Sequence, residues 1–127
     1  MKAISVRQPW AWAIIHAGKD IENRTWKNKH CHGTVAVHAS GGRDDLDDLP
    51  DGVGRPRNEE LVQGAIIGVV DIVDVVEDSD SEWFGGPLGF VLKNPRPLNQ
   101  PIPCKGKLFL WEVPPEIVKE MERQLGK

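Results

Sequence analysis

The chain has 127 residues, the usual size of one domain, and its 39% hydrophobic and 28% charged content excludes a disordered polypeptide. No apolar run is long enough to span a bilayer and "MKAISVRQPW" lacks a signal-peptide core, so a cytoplasmic protein without membrane contact is expected. A net charge of -3 argues against a dedicated duplex-DNA binder and restricts any anionic partner to a local basic cleft.

"MKAISV" (Met1–Val6) alternates and predicts a short strand. Pro9 suits the first turn of a helix, "PWAWAIIHA" (Pro9–Ala17) continues it, and Gly18 is placed to end it. "DIENRTW" returns to a period of two, with Ile21, Asn23 and Thr25 on one side and Glu22, Arg24 and Trp26 on the other. "GTVAVHAS" (Gly33–Ser40) predicts a strand with His38 facing away from Val35 and Val37. "SGGRDD" reads as a plain loop opening a polar insertion around residues 41–62, with weak helical stretches at "RDDLDDL" and "PRNEELV". "GAIIGVVDIVDVVEDS" (Gly64–Ser79) is a long β-branched run that must bulge, because Asp71 and Asp74, three apart, cannot both face out of a regular strand. "GPLGFVLKNPRPL" predicts a strand closed by Pro95 and Pro97, and "GKLFLWEV" (Gly106–Val113) another, with Trp111 in the core. "PPEIVKEMERQLGK" is a terminal helix opened by prolines and ended by Gly126. The chain therefore predicts a single α+β domain over residues 1–127, a small mixed β-barrel of five to six strands with flanking helices.

Nucleotide-loop, zincin and nucleophile-elbow motifs are absent. Cys31 in "KHCHG" has histidines on both sides but no second ligand pair, so no metal and no cofactor is expected, and Cys31 and Cys104 read as free thiols. What remains is a polar set at strand ends and corners: Arg7, Gln8, Lys19, Glu22, Arg24 and His38. Singly, each reads as a cap or a same-face ion pair. Together they outline the mouth of a barrel. Trp10 and Trp12, two apart on a helix, cannot both point into the core, and a tryptophan beside cations can stack a nucleobase. Trp26 and Trp111 read as packing residues, and Trp83 as a lid or a cap.

"SVRQPWAWAIIHAGKDIENRTW", then "GTVAVHAS", "GAIIGVVDIVD", "GPLGFVLKNPRPL" and "GKLFLWEV" resemble an ASCH-domain protein over nearly the whole chain. The opening block, with R-Q-P-W, G-K, E-N-R and a strand ending in H-A in the family's order, carries most of the resemblance, and it is most similar to the small stand-alone bacterial and phage type. The resemblance implies a PUA-like barrel and a cleft for RNA or nucleotides, lined by Arg7, Gln8, Pro9, Trp10, Lys19, Glu22 and Arg24. One branch resembles an amidohydrolase that deacylates acetylated cytidine through a Lys–Thr pair in K-x-x-T and a distant glutamate. Lys19 matches that lysine, but Glu22 stands where the threonine would be.

The expected function is binding of single-stranded RNA, a nucleotide or a modified nucleoside by a monomer or weak dimer. Arg7 and Arg24 would meet phosphate or base edges, Trp10 would offer a stacking face, and His38 would lie deeper in the same mouth. The alternative is a metal-independent hydrolase in the same cleft, a ribonuclease or a nucleoside amidohydrolase, with Lys19 and Glu22 as its acid–base pair.

Overall fold

The computed structural model describes residues 1–25 and 32–126. Its elements follow the order β1 (Lys2–Gln8), α1 (Trp10–His16), β2 (Ile21–Arg24), β3 (Gly33–Arg43), β4 (Ala65–Val76), β5 (Leu88–Pro103), β6 (Leu110–Glu112) and α2 (Pro115–Leu125). The α+β class and the six strands agree with the sequence pattern. Between β3 and β4 the two weak helical stretches are single 3-10 turns, Leu46–Asp48 and Asn58–Glu60.

The sheet runs β2-β5-β4-β3-β1-β6, with β1 and β3 parallel and the other neighbours antiparallel. Its ladder is open, in place of the expected closed barrel. The terminal strands β2 and β6 have four and three residues and do not pair with each other, and short edges of this kind resist intermolecular pairing. A side chain spans the gap instead: Arg24 on β2 donates from Nη2 to the carbonyl of Ser5 on β1, 2.9 Å away.

Alternation along the strands divides the core. Ile4, Val6, Val35, Val37, Val70 and Phe90 pack against Ala11, Ile14 and Ile15 of α1. Ala3, Ala36, Ile66, Val69 and Trp111 face the other way, against Met121 of α2. Ile66 and Val69 share a side although three apart because the β4–β5 register shifts between Ile66 and Gly68, and a further shift between Ile72 and Asp74 accommodates the two aspartates.

Three expectations are corrected. Pro95 and Pro97 do not end β5, which runs on to Pro103: between the paired Lys93 and Arg96, Asn94 and Pro95 stand against Val70 alone, so the ladder bulges by one residue there. "GKLFLWEV" pairs only at Leu110–Glu112, because Phe109 adopts φ 61° and breaks the extended run. "SGGRDD" is not a plain loop, since β3 continues to Arg43, which pairs with Gln8. Trp26 and Cys31, with the expectations attached to them, lie outside the described residues.

Candidate functional site

The α1–β2 corner determines where Lys19 sits. Gly18 takes φ 75°, a left-handed conformation that glycine adopts without steric cost, and the amides of Ala17 and Lys19 both donate to the carbonyl of Ala13. The chain thus turns back over α1 and carries the Lys19 side chain inward. Its ammonium donates to the carbonyl of Ile21, lies 3.5 Å from Glu22, and stands 5.8 Å and 5.6 Å from the ring centres of Trp10 and Trp83. Two indole faces and a carboxylate stabilise a cation that water barely reaches.

Period two on β2 puts Glu22 and Arg24 on one face, and Arg24 Nη2 is 2.9 Å from Glu22 Oε2. Lys19, Glu22 and Arg24 form a cation–anion–cation row with side chains 4%, 11% and 16% exposed. Burial holds the Lys19 ammonium below its ordinary pKa; Glu22 opposes that shift and Arg24 adds to it. Arg24 Nε is buried with no hydrogen-bond partner among the described residues.

This row borders a hollow of about 360 Å³ walled by Trp10, Lys19, Glu22, Trp83 and Phe84. A second hollow of about 280 Å³ adjoins it, sharing Trp10 and Glu22 and continuing past Arg7, Arg24, Leu108 and Phe109. Of the residues singled out in the sequence, the fold therefore gathers Arg7, Trp10, Lys19, Glu22 and Arg24 around one cleft.

Gln8 and His38 line neither of these two hollows. Gln8 is fully buried; its Nε2 donates to the carbonyl of Val62 and its Oε1 accepts from the amide of Trp12, so it ties the start of α1 to the 41–62 segment. His38 packs edge-on against Trp111, beneath Gly106, with Nε2 2.8 Å from the carbonyl of Cys104. It borders a third hollow of about 250 Å³, and not the one that holds Lys19.

Two organising residues escaped the sequence reading. Asp44 accepts from Trp10 Nε1 at 2.8 Å on one oxygen and from Arg7 Nε and Nη2 at 3.1 Å and 2.9 Å on the other. These donors hold its carboxyl below the usual aspartate range, the Trp10 bond first. Arg7 also lies across Gly42, where a Cβ would come within 2.0 Å of Nη1, so a side chain there would push the guanidinium aside. Asn23 donates to the carbonyl of Trp83 and accepts from the amide of Gly85, which anchors the loop carrying Trp83. Alternation already placed Asn23 opposite Glu22, but no local signal distinguished Asp44 from the other acids around it. Trp83, 8% exposed and packed with Ile21 and Leu49, is both cap and cleft wall.

Among the described residues no cluster of His, Cys, Asp and Glu has the makings of a metal site, and no helix is long and apolar enough to cross a membrane. Comparison with known proteins adds the lineage. Over 98% of its length the chain is 23% identical to Activating signal cointegrator 1 of Homo sapiens and, at the same identity, of Mus musculus. It spans 24% of the length of each of these relatives. Among solved structures, ASCH from Zymomonas mobilis superposes with a TM-score of 0.59 at 14% identity, covering 96% of this chain and 93% of that one. A point mutant of ZmASCH from the same organism gives 0.60 at 16%, covering 96% of each. Likeness at that identity speaks to the fold alone. The family model for the ASCH domain matches residues 4–102, most of the chain, and the protein belongs to the ASCH-domain family.

Proposed function

We propose that the cleft binds a nucleotide, as a unit of single-stranded RNA or as a modified nucleoside. One observation carries this reading: Trp10, Trp83, Lys19, Glu22 and Arg24 converge on a cleft whose first hollow measures about 360 Å³, a volume suited to a nucleoside-sized ligand. Aromatic faces offer stacking, Lys19 in the first hollow and Arg24 in the second are the cations a phosphate can meet, and Glu22 supplies an acceptor for a base amino group. Arg7, held by Asp44 at the entrance, guides an anion inward. The test is Lys19→Met. Methionine matches the lysine stem, Glu22 keeps its ion pair with Arg24 so that its carboxylate is not left unpaired, and circular dichroism checks that the variant is folded. Titration with short single-stranded RNA, followed by tryptophan emission, should reveal an affinity at least about tenfold lower than wild type. A folded variant with unchanged affinity would sink the reading.

A second reading, a hydrolase in the same cleft, draws on a separate observation. Burial lowers the Lys19 pKa, so this lysine gives up its proton more readily than an ordinary one, and in its deprotonated form, beside a carboxylate, it can accept a proton from the 2′-hydroxyl of RNA or from water. Glu22 replaces the threonine of the amidohydrolase pattern, so any deacylation would use water directly and not a hydroxyl nucleophile on the protein. Incubation with mixed RNA and with acetylated cytidine, in the presence of chelator, separates the two readings. Turnover that falls by roughly two to four orders of magnitude in Lys19→Met favours the enzyme. Binding without turnover favours the module.

A further inference from the structure

We propose that the second hollow is a subsite for the adjoining nucleotide of the same strand, so that the ligand is a single-stranded RNA running from the Lys19 hollow along the segment that joins β5 to β6. This rests on the nucleotide reading of the Lys19 hollow. The second hollow, about 280 Å³, shares Trp10 and Glu22 with the first and is walled on its far side by Leu108 and Phe109. These two side chains are 80% and 54% exposed, an apolar pair presented to solvent in a chain whose other large apolar groups are mostly buried. Phe109 holds φ 61°, a backbone conformation that bulky residues rarely adopt and that clusters at functional sites.

Charge selects the occupant. The same segment carries Lys105 and the exposed Lys107, and Arg7 and Arg24 border the hollow as well. A third hollow of about 250 Å³ continues the path, sharing Ser5, Ser40 and Leu108 with the second and reaching Lys107. The other direction is unfavourable to phosphate. Asp48 and Glu82 line the Lys19 hollow, and in the space beyond Asp51, Glu60 and again Glu82 outnumber the one arginine, Arg55, beside His16. A polyanion therefore leaves the first hollow on the side of the lysines. Apolar walls for base faces, alternating with cations for phosphates, are the chemistry of a single-strand track.

The experiment compares a mononucleotide, a dinucleotide and a tetranucleotide of RNA on the wild type, Phe109→Ala and Lys107→Glu. Both substituted side chains are exposed, so circular dichroism should report an unchanged fold. Wild type should bind the tetranucleotide at least about tenfold more tightly than the mononucleotide. Phe109→Ala should remove roughly tenfold from the tetranucleotide, the size of one base–aromatic contact, and leave the mononucleotide alone. Lys107→Glu should weaken the tetranucleotide and lower its salt slope by about one. Equal affinity for all three lengths, or a tetranucleotide indifferent to Phe109→Ala, overturns the subsite while the Lys19 hollow keeps its reading. No binding at any length removes both. A self-association abolished by Phe109→Ala with RNA affinity unchanged assigns the patch to a second copy of the chain and overturns the proposal.

Discussion

Replacing Glu22 by glutamine takes the anion out from between two buried cations. Glu22 lies 3.5 Å from Lys19 Nζ and 2.9 Å from Arg24 Nη2, and all three side chains are largely shielded from water. Breaking a buried ion pair by removing one partner costs about 3–5 kcal/mol; glutamine keeps an acceptor oxygen, so the lower figure, about 3 kcal/mol, applies. At about 2.1 cal/mol/K per residue, unfolding of this chain has an entropy of roughly 270 cal/mol/K, and the Tm should drop by about 11 °C near neutral pH. The sign of the pH dependence follows from Lys19. Its protonated form is disfavoured in the folded chain relative to the unfolded one, chiefly by burial, with Glu22 working against that shift. The penalty is present in full below the folded pKa and is relieved as pH rises from there to the ordinary lysine value of 10.5. Without Glu22 the folded pKa falls further, relief begins at lower pH, and the gap between variant and wild type narrows towards alkaline pH. Calorimetric melts of both proteins from about pH 6 to about pH 10 measure this directly. A Tm difference below about 3 °C, or one that does not shrink with pH, would refute the buried row as the organising feature of the cleft.

Asp44→Asn should leave Trp10 and Arg7 one acceptor oxygen between them and no charge, while barely moving the Tm, because the carboxylate is partly exposed and screened. Tryptophan emission should shift and RNA affinity fall by roughly fivefold, the order of one charge-assisted contact. In wild type the same emission change should appear on acidification, since a carboxylate with a depressed folded pKa stabilises above its unfolded value of 3.8 and loses that contribution as pH falls through the folded one. Gln8→Ala should lower stability by about 2–3 kcal/mol in urea unfolding, leaving the Val62 carbonyl and the Trp12 amide unpaired in a buried place. Its RNA affinity per folded molecule should equal that of wild type, which would set Gln8 apart from the cleft residues.

How much of this is legible depends on how far each signal reaches along the chain. Periodicity and turn chemistry act over a few residues, so β1, α1 ending at Gly18, β4 with its bulges and α2 follow from the sequence alone. The same-face pair Glu22–Arg24 follows too, because a strand period of two suffices. Sheet order and closure depend on contacts between distant segments. No local pattern announces that β2 and β6 remain open edges, or that Arg24 spans the gap to Ser5. The prolines of β5 mislead for the same reason: whether a proline ends a strand depends on the register of its neighbour, here a ladder that bulges at Asn94 and Pro95. Composition places Asp44 in an acidic run like any other, and only the packing of the 41–62 segment against α1 makes it the residue that orients Trp10 and Arg7. Gln8 and His38 match the polar set by type, yet burial gives one to a structural clamp and the other to the underside of Gly106. Side-chain identity is written locally, whereas the cavity a side chain meets is made by strands far apart in sequence, and only the folded chain determines which polar groups share it.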